Sequence, residues 1–373
     1  SFETPTTSVH RAPMKAAEMK LAYTASAEGT NCYYIINSPA SQGFTVVSAD
    51  DRLPQILGYT DRGSFDPENI PCNMRWWLDN YKNEIAWYFS HSSAYDASSK
   101  PAKAIMPGKK PIAPITTTTW NQSAPYNNLC PMGAGGARAV TGCVATAMAQ
   151  VMKVYNWPDE SVGETAQISL AGRKYDWNEM LDSYTEGNYT TTQARAVALL
   201  MRCCGAAVDM NYSTTGSGAY SYDVGPAWTK YFKYDASLRY EMRDYYSMSE
   251  WNNMIYNELN EGRPVYYSGA SSEGGHAFVC DGYGSNGYFH FNWGWGGYQD
   301  GYFRLYALNP TSGGIGSYEG GYNSNQTIYT HLAKRTDAPQ IKQSLLVATS
   351  GIKPHRESRI SFIGMTMEWC IIH

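Results

Sequence analysis

Short β-rich apolar runs alternate with turn-forming segments along the first hundred residues. Residues 32–36 and 44–48 carry such runs, and a stretch rich in Pro, Ser and Gly, 38–43, separates them. A third run over 53–59 predicts another strand. Asn73 then occupies an N-cap position ahead of large apolar residues at helical spacing, which are Trp76, Trp77, Tyr81, Ile85 and Tyr88. The N-terminal part is therefore predicted to be α+β.

This pattern breaks after residue 100. The next stretch contains four prolines, two adjacent lysines and four consecutive threonines, a composition that suits neither a helix nor a strand. We expect an exposed linker at about 100–119 that a protease can cut, and we place a domain boundary there. The predicted units are residues 1–110, residues 115–333, and a C-terminal tail of uncertain role, 334–373.

Helical periodicity returns after Gly142 and ends before Pro158. The apolar positions of this predicted helix are Val144, Met148, Val151, Met152 and Tyr155. Residues 192–204 and 249–261 predict two further helices, and Ser249 stands at the N-cap position of the second. The second unit therefore begins with helices.

Strand patterns replace the helical ones after residue 264. They cover residues 265–267, 277–280, 288–293 and 301–306, with a hairpin turn predicted at 285–287. Helices followed by an antiparallel meander indicate the α+β class.

The composition narrows the possible functions. The formal net charge is only −4, so nucleic acid or an anionic membrane is not expected as the main partner. No apolar run approaches the ~18 residues of a membrane span. The 31 tyrosines, 11 tryptophans and 34 glycines are typical of secreted proteins. The eight cysteines include no CxxC pair and no zinc-ligand spacing, so one of them is a candidate for chemistry rather than structure.

Cys143 is the first candidate for that chemistry. It follows Gly142 at the first turn of a predicted helix, where the helix dipole stabilises a thiolate and the small preceding residue leaves the sulfur accessible. The position is therefore suited to a nucleophile that is active near neutral pH. The alternative is a buried cysteine that packs beside Met148.

His276 and Asn292 complete a possible catalytic set. They lie 133 and 149 residues after Cys143, and papain-like proteases place His and Asn ~130–150 residues after the cysteine. An imidazole can take the thiol proton, and a third polar group can orient the ring. The alternative for His276 is a hydrogen-bonded histidine at a strand edge.

Two further residues fit the same chemistry. Gln122 lies 21 residues before Cys143, and its side-chain amide can join the Cys143 backbone N–H in an oxyanion hole. Trp293 and Trp295, separated by one glycine, are predicted to face the same side of a strand. They can shield an Asn–His contact from water, stack on sugar, or simply pack in the core. The alternative for Gln122 is a solvated loop residue.

Three motifs together resemble those of the streptopain family, secreted cysteine proteases that include interpain-type enzymes of Prevotella and Bacteroides. The motifs are Thr-Gly-Cys-Val-Ala-Thr-Ala at 141–147, Gly-Gly-His-Ala-Phe-Val at 274–279 and Asn-Trp-Gly-Trp-Gly-Gly at 292–297. The resemblance covers about residues 115–330 in order. The N-terminal part resembles a streptopain-type propeptide at 43–48, 56–59 and 73–78.

This resemblance implies a role for each matching position. Cys143 matches the nucleophile, His276 the general base and Gln122 the oxyanion-hole amide. Asn292 with Trp293 matches the group that orients the histidine. Two more positions, Gly275 and Ser217, match contacts to the substrate backbone. The implied fold is a papain-like catalytic domain, with a helical part and an antiparallel β part, preceded by an α+β inhibitory prodomain.

We therefore interpret the chain as the zymogen of a secreted cysteine endopeptidase that acts on protein or peptide substrates. It needs no metal or organic cofactor, and its intramolecular partner is the prodomain. Two other hypotheses remain open at this point. One is another Cys–His acyl-transfer enzyme on the same fold, and the other is a non-catalytic module that binds carbohydrate or a receptor.

Overall fold

A computed structural model describes residues 19–91, 106, 108–271, 274–307 and 325–336. The fold reported below is that of the first of two compact units, Ser1–Arg335. Most of the predicted tail, and residues 100–105 and 107 of the predicted linker, lie outside the described residues.

One antiparallel sheet of ten strands forms the centre of the described fold. Its order is β1-β2-β3-β4-β9-β8-β7-β6-β10-β5. The strands are β1 Lys20–Ala27, β2 Thr30–Asn37, β3 Phe44–Ser48, β4 Ile56–Tyr59, β5 Arg239–Met242, β6 Val265–Ser271, β7 Gly274–Tyr283, β8 Tyr288–Asn292, β9 Gly301–Arg304 and β10 Thr327–Thr330. The predicted strands over 32–36 and 44–48 are confirmed, whereas β1, β5 and β10 are additional.

The N-terminal strands join the rest of the sheet through β4 and β9. Gly58 pairs with Phe303, and Tyr59 pairs with Tyr302. A Cβ atom at Gly58 would lie 2.2 Å from the Phe303 ring, so only glycine lets this ring cover the strand. The predicted prodomain and the predicted catalytic part therefore share one continuous sheet.

Within the described ranges, five α-helices cover the two faces of the sheet. They are α1 Cys72–His91, α2 Cys143–Tyr155, α3 Thr191–Ala207, α4 Val224–Tyr231 and α5 Met248–Asn260. One core contains residues of α1 and α5, and the other contains residues of α2, α3 and α4. The side chains of β7 alternate between them, because Phe278 and Cys280 belong to the first core while Ala277 and Val279 belong to the second.

The helix starts differ from the sequence prediction at two places. Helix α1 begins at Cys72, so Asn73 lies inside its first turn and is not the N-cap. Helix α5 is capped by Ser247, whose hydroxyl accepts from the Glu250 backbone N–H while the Glu250 side chain accepts from the Ser247 N–H. This reciprocal capping box satisfies two N–H groups, so it outcompetes a cap at Ser249.

The predicted hairpin between β7 and β8 is confirmed. Asn286 and Gly287 both have positive φ, at 49° and 85°, as a type I′ hairpin turn requires. The expectation of a strand through the Trp-Gly-Trp segment is wrong, because β8 ends at Asn292 and Gly294 turns the chain with φ 74°. Trp293 is buried, whereas Trp295 is only partly buried.

The predicted linker is only partly exposed over residues 112–119, where Ala113, Pro114 and Thr117 are exposed. Ile112 exchanges backbone hydrogen bonds with Tyr283, and the Ile115 N–H donates to Asp281 O. Thr116 and Thr118 are buried. Ile112, Ile115, Thr116 and Thr118 are therefore held against the folded body, although their neighbours at 113, 114 and 117 are exposed.

Candidate active site

The nucleophile candidate stands at the first residue of α2. Gly142, the N-cap residue, has φ 84°, and a Cβ atom there would lie 2.8 Å from Ser217 O. Only glycine fits this conformation and this close approach without strain. Cys143 is half-buried at the positive end of the helix dipole.

Gln122 and Ser217 lie beside the segment that leads into Cys143. The Thr141 N–H donates to Gln122 O at 3.0 Å, and the Gln122 side chain is buried. The Ser217 hydroxyl donates to Val140 O at 2.7 Å. The structure therefore brings Gln122, Cys143 and Ser217 into one neighbourhood, although they are distant in sequence.

His276 faces helix α1 of the predicted prodomain. Its ring stacks on Trp76 with centroids 6.0 Å apart and an angle of 29° between planes. Trp76 also covers Gly269, the residue paired with His276, where a Cβ atom would lie 2.1 Å from the indole. His276 shares its face of β7 with Phe278, whereas Cys143 packs with the core on the opposite face. The structure does not place the imidazole on the side of the thiol.

The first turn of α1 also reaches the backbone around the site. The Asn73 side-chain NH₂ donates to Trp293 O at 2.5 Å and to Ala277 O at 3.4 Å. The Ala277 backbone also lowers the pKa of the Cys143 thiol. Helix α1 and the candidate thiol therefore both approach Ala277 of β7.

Asn292 lies on the other face from the His276 ring. It pairs with Val279, three residues and about 10 Å along β7 from His276. Its Nδ2 donates to Thr118 O at 2.7 Å, and its Oδ1 accepts from the Gly294 N–H at 3.0 Å. Its amide also exchanges hydrogen bonds with the Gln150 side chain. The expected contact to His276 is therefore not made in this structure.

Trp293 shares the face on which His276 lies. Its ring is buried against Phe278, with centroids 4.9 Å apart, and its Nε1 donates to Gln299 O at 2.9 Å. Its backbone N–H donates to Asp300 Oδ1 at 2.9 Å. Trp293 therefore forms a fixed wall on this face. Gly275 is exposed and pairs with Ala270.

Burial dominates the electrostatics at Cys143. The pKa of the thiol is raised to about 11, chiefly by burial and to a smaller extent by the nearby Cys72, while the backbone of Ala277 acts in the opposite direction. The thiol is therefore protonated at neutral pH in this form. This differs from the thiolate expected from the helix dipole alone, because desolvation of the charged form is the larger effect.

The raised pKa predicts slow alkylation of the uncleaved chain. Only the thiolate reacts with iodoacetamide, so the rate at Cys143 should rise about tenfold per pH unit between pH 7 and pH 10. Peptide-resolved mass spectrometry after short incubations measures that rate separately from those of the other cysteines. A rate that levels off below pH 8 in the uncleaved chain contradicts this prediction.

Sequence reasoning missed Gln150 and the prodomain side chains at the site. Gln150 is fully buried, and it is an amide inside the apolar stretch of α2. A buried amide needs hydrogen-bond partners, so a glutamine within this apolar stretch did indicate a buried polar contact. The contacts of Cys72, Asn73 and Trp76 had no such local signal, since they depend on how α1 docks.

The comparisons with known proteins agree with this arrangement. Residues 120–303 match the Peptidase C10 family, and residues 4–85 match the Spi protease inhibitor family. The two matches lie on either side of the predicted linker. Together with the fold, they define a cysteine-type endopeptidase that carries an inhibitory prodomain.

Relatives that match most of the chain identify its family. It is 35% identical over 327 residues to streptopain of Streptococcus pyogenes, covering 80% of each chain. It is 36% identical over 361 residues to the thiol protease/hemagglutinin PrtT of Porphyromonas gingivalis, covering 90% of this chain but only 41% of PrtT. The chain therefore belongs to the peptidase C10 family, and it spans less than half of the length of PrtT.

Solved structures give the same result. The Prevotella intermedia prointerpain A fragment superposes with a TM-score of 0.67 and 32% identity, covering 82% of this chain and 97% of that one. Active interpain A from the same organism superposes with a TM-score of 0.52 and 34% identity, covering 62% of this chain and 98% of that one. The predicted α+β fold, papain-like with a preceding prodomain, is confirmed by the first of these.

Proposed function

We propose that this chain is the latent precursor of a secreted endopeptidase whose nucleophile is Cys143. The observation that carries the proposal is the position of α1, whose first turn binds the backbone beside Cys143 and whose Trp76 covers His276. A prodomain helix seated there blocks the site and separates the two reacting groups at once.

In the activated enzyme the Cys143 thiolate attacks the carbonyl carbon of the scissile peptide. The Gln122 side-chain amide and the Cys143 backbone N–H hold the oxyanion of the tetrahedral intermediate. His276 protonates the leaving amine, which releases the first product and leaves an acyl-enzyme. It then takes a proton from water, and the resulting attack frees the acid product and the thiol.

Latency follows from two features of the uncleaved chain. The His276 imidazole is stacked on Trp76, so it is not available as the base. The Cys143 thiol is protonated because burial raises its pKa. Release of α1 removes the indole and opens the site to water, which frees the ring and lowers the cost of the thiolate.

Activation requires cleavage on the N-terminal side of Ile112. The backbones of Ile112 and Ile115 are bonded to β7, whereas Gly108, Lys110 and Pro111 are exposed. We assign the cut to this exposed part of the linker and to the enzyme itself. Removal of the prodomain then also breaks the pairing between β4 and β9.

Protein or peptide chains are the substrates, and Gly275 and Ser217 lie where they can bind the substrate backbone. Both flank the proposed reaction centre, one on β7 beside His276 and the other against Gly142. Secretion is supported by the Tyr, Trp and Gly content and by the secreted relatives. Among the described residues, none of the helices is long and apolar enough to cross a membrane.

The proposal is tested by incubating the purified chain under mild reducing conditions and following its mass over time. We expect the prodomain to be lost at the linker, with hydrolysis of an unfolded protein substrate appearing in step. A chain that does not process itself, and that stays inactive even after a trace of an active relative has removed its prodomain, refutes the proposal.

Weakening the contact between Trp76 and His276 should hasten activation. Replacement of a buried Trp by Ala typically costs ~3–5 kcal/mol, and ~1.4 kcal/mol corresponds to a factor of ten. Trp76→Ala is therefore expected to shorten the half-time of processing at least about tenfold, measured by the same mass time course. The activity of the mature enzyme should be unchanged, since Trp76 leaves with the prodomain.

Trp87→Ala is the matched control for this prediction. Trp87 lies on the same helix and packs against the same core, but three turns away from the first turn of α1. If both variants activate at the same rate, general loosening of the prodomain is responsible, and the specific role of Trp76 is wrong.

A further inference from the structure

Gln150 occupies the centre of a buried hydrogen-bond network behind the proposed site. It lies seven residues after Cys143, on the same face of α2 two turns on, and it is fully buried. Its Oε1 accepts from Thr118 Oγ1 at 3.0 Å and from the Trp120 N–H at 3.2 Å. Asn292 Nδ2 donates to the same oxygen at 3.1 Å.

The remaining hydrogen bonds of the network connect Gln150 to Asn292 and Gly294. Gln150 Nε2 donates to Asn292 Oδ1 at 3.0 Å, so the two amides are joined twice. Asn292 Oδ1 also accepts from the Gly294 N–H. The start of the loop that follows β8 is therefore bound to α2 through Gln150.

The contacts to Thr118 and Trp120 lead directly to Gln122. Asn121 Oδ1 accepts from the Gln122 N–H at 2.7 Å, and Gln122 O accepts from the Thr141 N–H at 3.0 Å. The Gly296 N–H donates to Trp120 O at 3.0 Å, which binds the loop after β8, residues 293–297 (the Trp loop), to the same segment. The segment that carries Gln122 is thus anchored to Gln150, to the Trp loop and to the chain entering α2.

We propose that Gln150 is a positioning residue that sets the Gln122 amide at the correct distance from Cys143. Its side chain is the direct link between the nucleophile helix, the segment carrying Gln122 and the loop carrying Trp293. An oxyanion hole acts only when its donors are preorganised within a few tenths of an ångström. This inference rests on the proposed function, since it assumes that Gln122 stabilises an oxyanion.

Gln150→Met tests the inference, because it keeps the length of the side chain and removes every hydrogen bond. The full-length variant is activated in trans with a trace of wild-type enzyme, and its active sites are then counted by alkylation of Cys143. We expect kcat for a small peptide substrate to fall between about 10-fold and 10²-fold, with KM within about twofold.

Two further variants keep the outcome interpretable. Ser161→Ala removes two buried hydrogen bonds elsewhere in the same unit, to Leu170 O and from Tyr175 OH, and should lower thermal stability while leaving kcat unchanged. Thr118→Val removes one donor to Gln150 and should reduce kcat by about 3-fold to 10-fold. It takes the place of Gln150→Met if that variant does not fold.

A double-mutant cycle gives the decisive result. If Gln150 acts through Gln122, then Gln150→Met in a Gln122→Ala background should cost less than about threefold further in kcat. Full additivity of the two losses, or a kcat equal to that of Ser161→Ala, overturns the role of Gln150. An inactive wild-type enzyme overturns instead the proposed function on which it rests.

Discussion

Replacement of Cys143 by Ala is expected to abolish both proteolysis and self-processing. The nucleophile has no substitute in the described site, because Ser217 already donates its hydroxyl proton to Val140 O. Loss of the nucleophile in a protease that uses covalent catalysis lowers the rate by at least about 10⁴-fold. Mass spectrometry over time under mild reducing conditions should show the variant intact while the wild type loses its prodomain.

The control for this experiment is cleavage in trans. A trace of activated wild-type enzyme should cut the Cys143→Ala chain within the exposed part of the linker, which shows that the variant is folded and that the site is open to cleavage. Processing in a pure preparation of the variant, with no wild-type enzyme added, would falsify the assignment of the nucleophile.

Local features of the sequence were sufficient to predict helix α2. A glycine before a cysteine, followed by apolar residues at helical spacing, predicts both α2 and the position of Cys143 at its first turn. The hairpin at 285–287 is equally local, since a type I′ turn needs positive φ at both central positions. The motifs at 141–147, 274–279 and 292–297 were sufficient to predict the family, and the comparisons confirm that prediction.

Contacts between distant segments could not be predicted in the same way. The pairing of Gly58 with Phe303 joins residues 245 positions apart, and no local pattern specifies that register. The stacking of His276 on Trp76 likewise depends on how α1 docks on the sheet. The geometry of the latent state is therefore a property of the assembled fold.

Weak local patterns explain the elements that were missed. Strand β1 is mostly exposed, so it lacks the apolar alternation of a half-buried strand. Helix α4 contains Gly225 and Pro226 in its first turns, and both residues lower the helical propensity of the sequence. Pro226 is nevertheless tolerated there, because the backbone N–H groups of a first turn have no partner in the helix.

The second large effect is expected at Gln122. The Gln122 backbone carbonyl accepts a hydrogen bond from the Thr141 N–H, which holds Gln122 close to the start of α2. The Gln122 side-chain amide is then the donor for the oxyanion. Removal of one such donor typically lowers kcat by ~10²–10³-fold, because the interaction is made chiefly in the transition state. Gln122→Ala should therefore reduce kcat by that factor in the activated enzyme, while KM changes little.

Gln122→Glu should be at least as damaging, since a carboxylate in place of the amide repels the developing negative charge. Gln193→Ala is the matched control, because it removes a glutamine that only caps α3. Steady-state kinetics on active-site-titrated enzyme separate kcat from KM for all three variants. The oxyanion role of Gln122 is wrong if Gln122→Ala has the same kcat as Gln193→Ala. The double-mutant cycle would then have no coupling to measure, because Gln150 is proposed to act through Gln122.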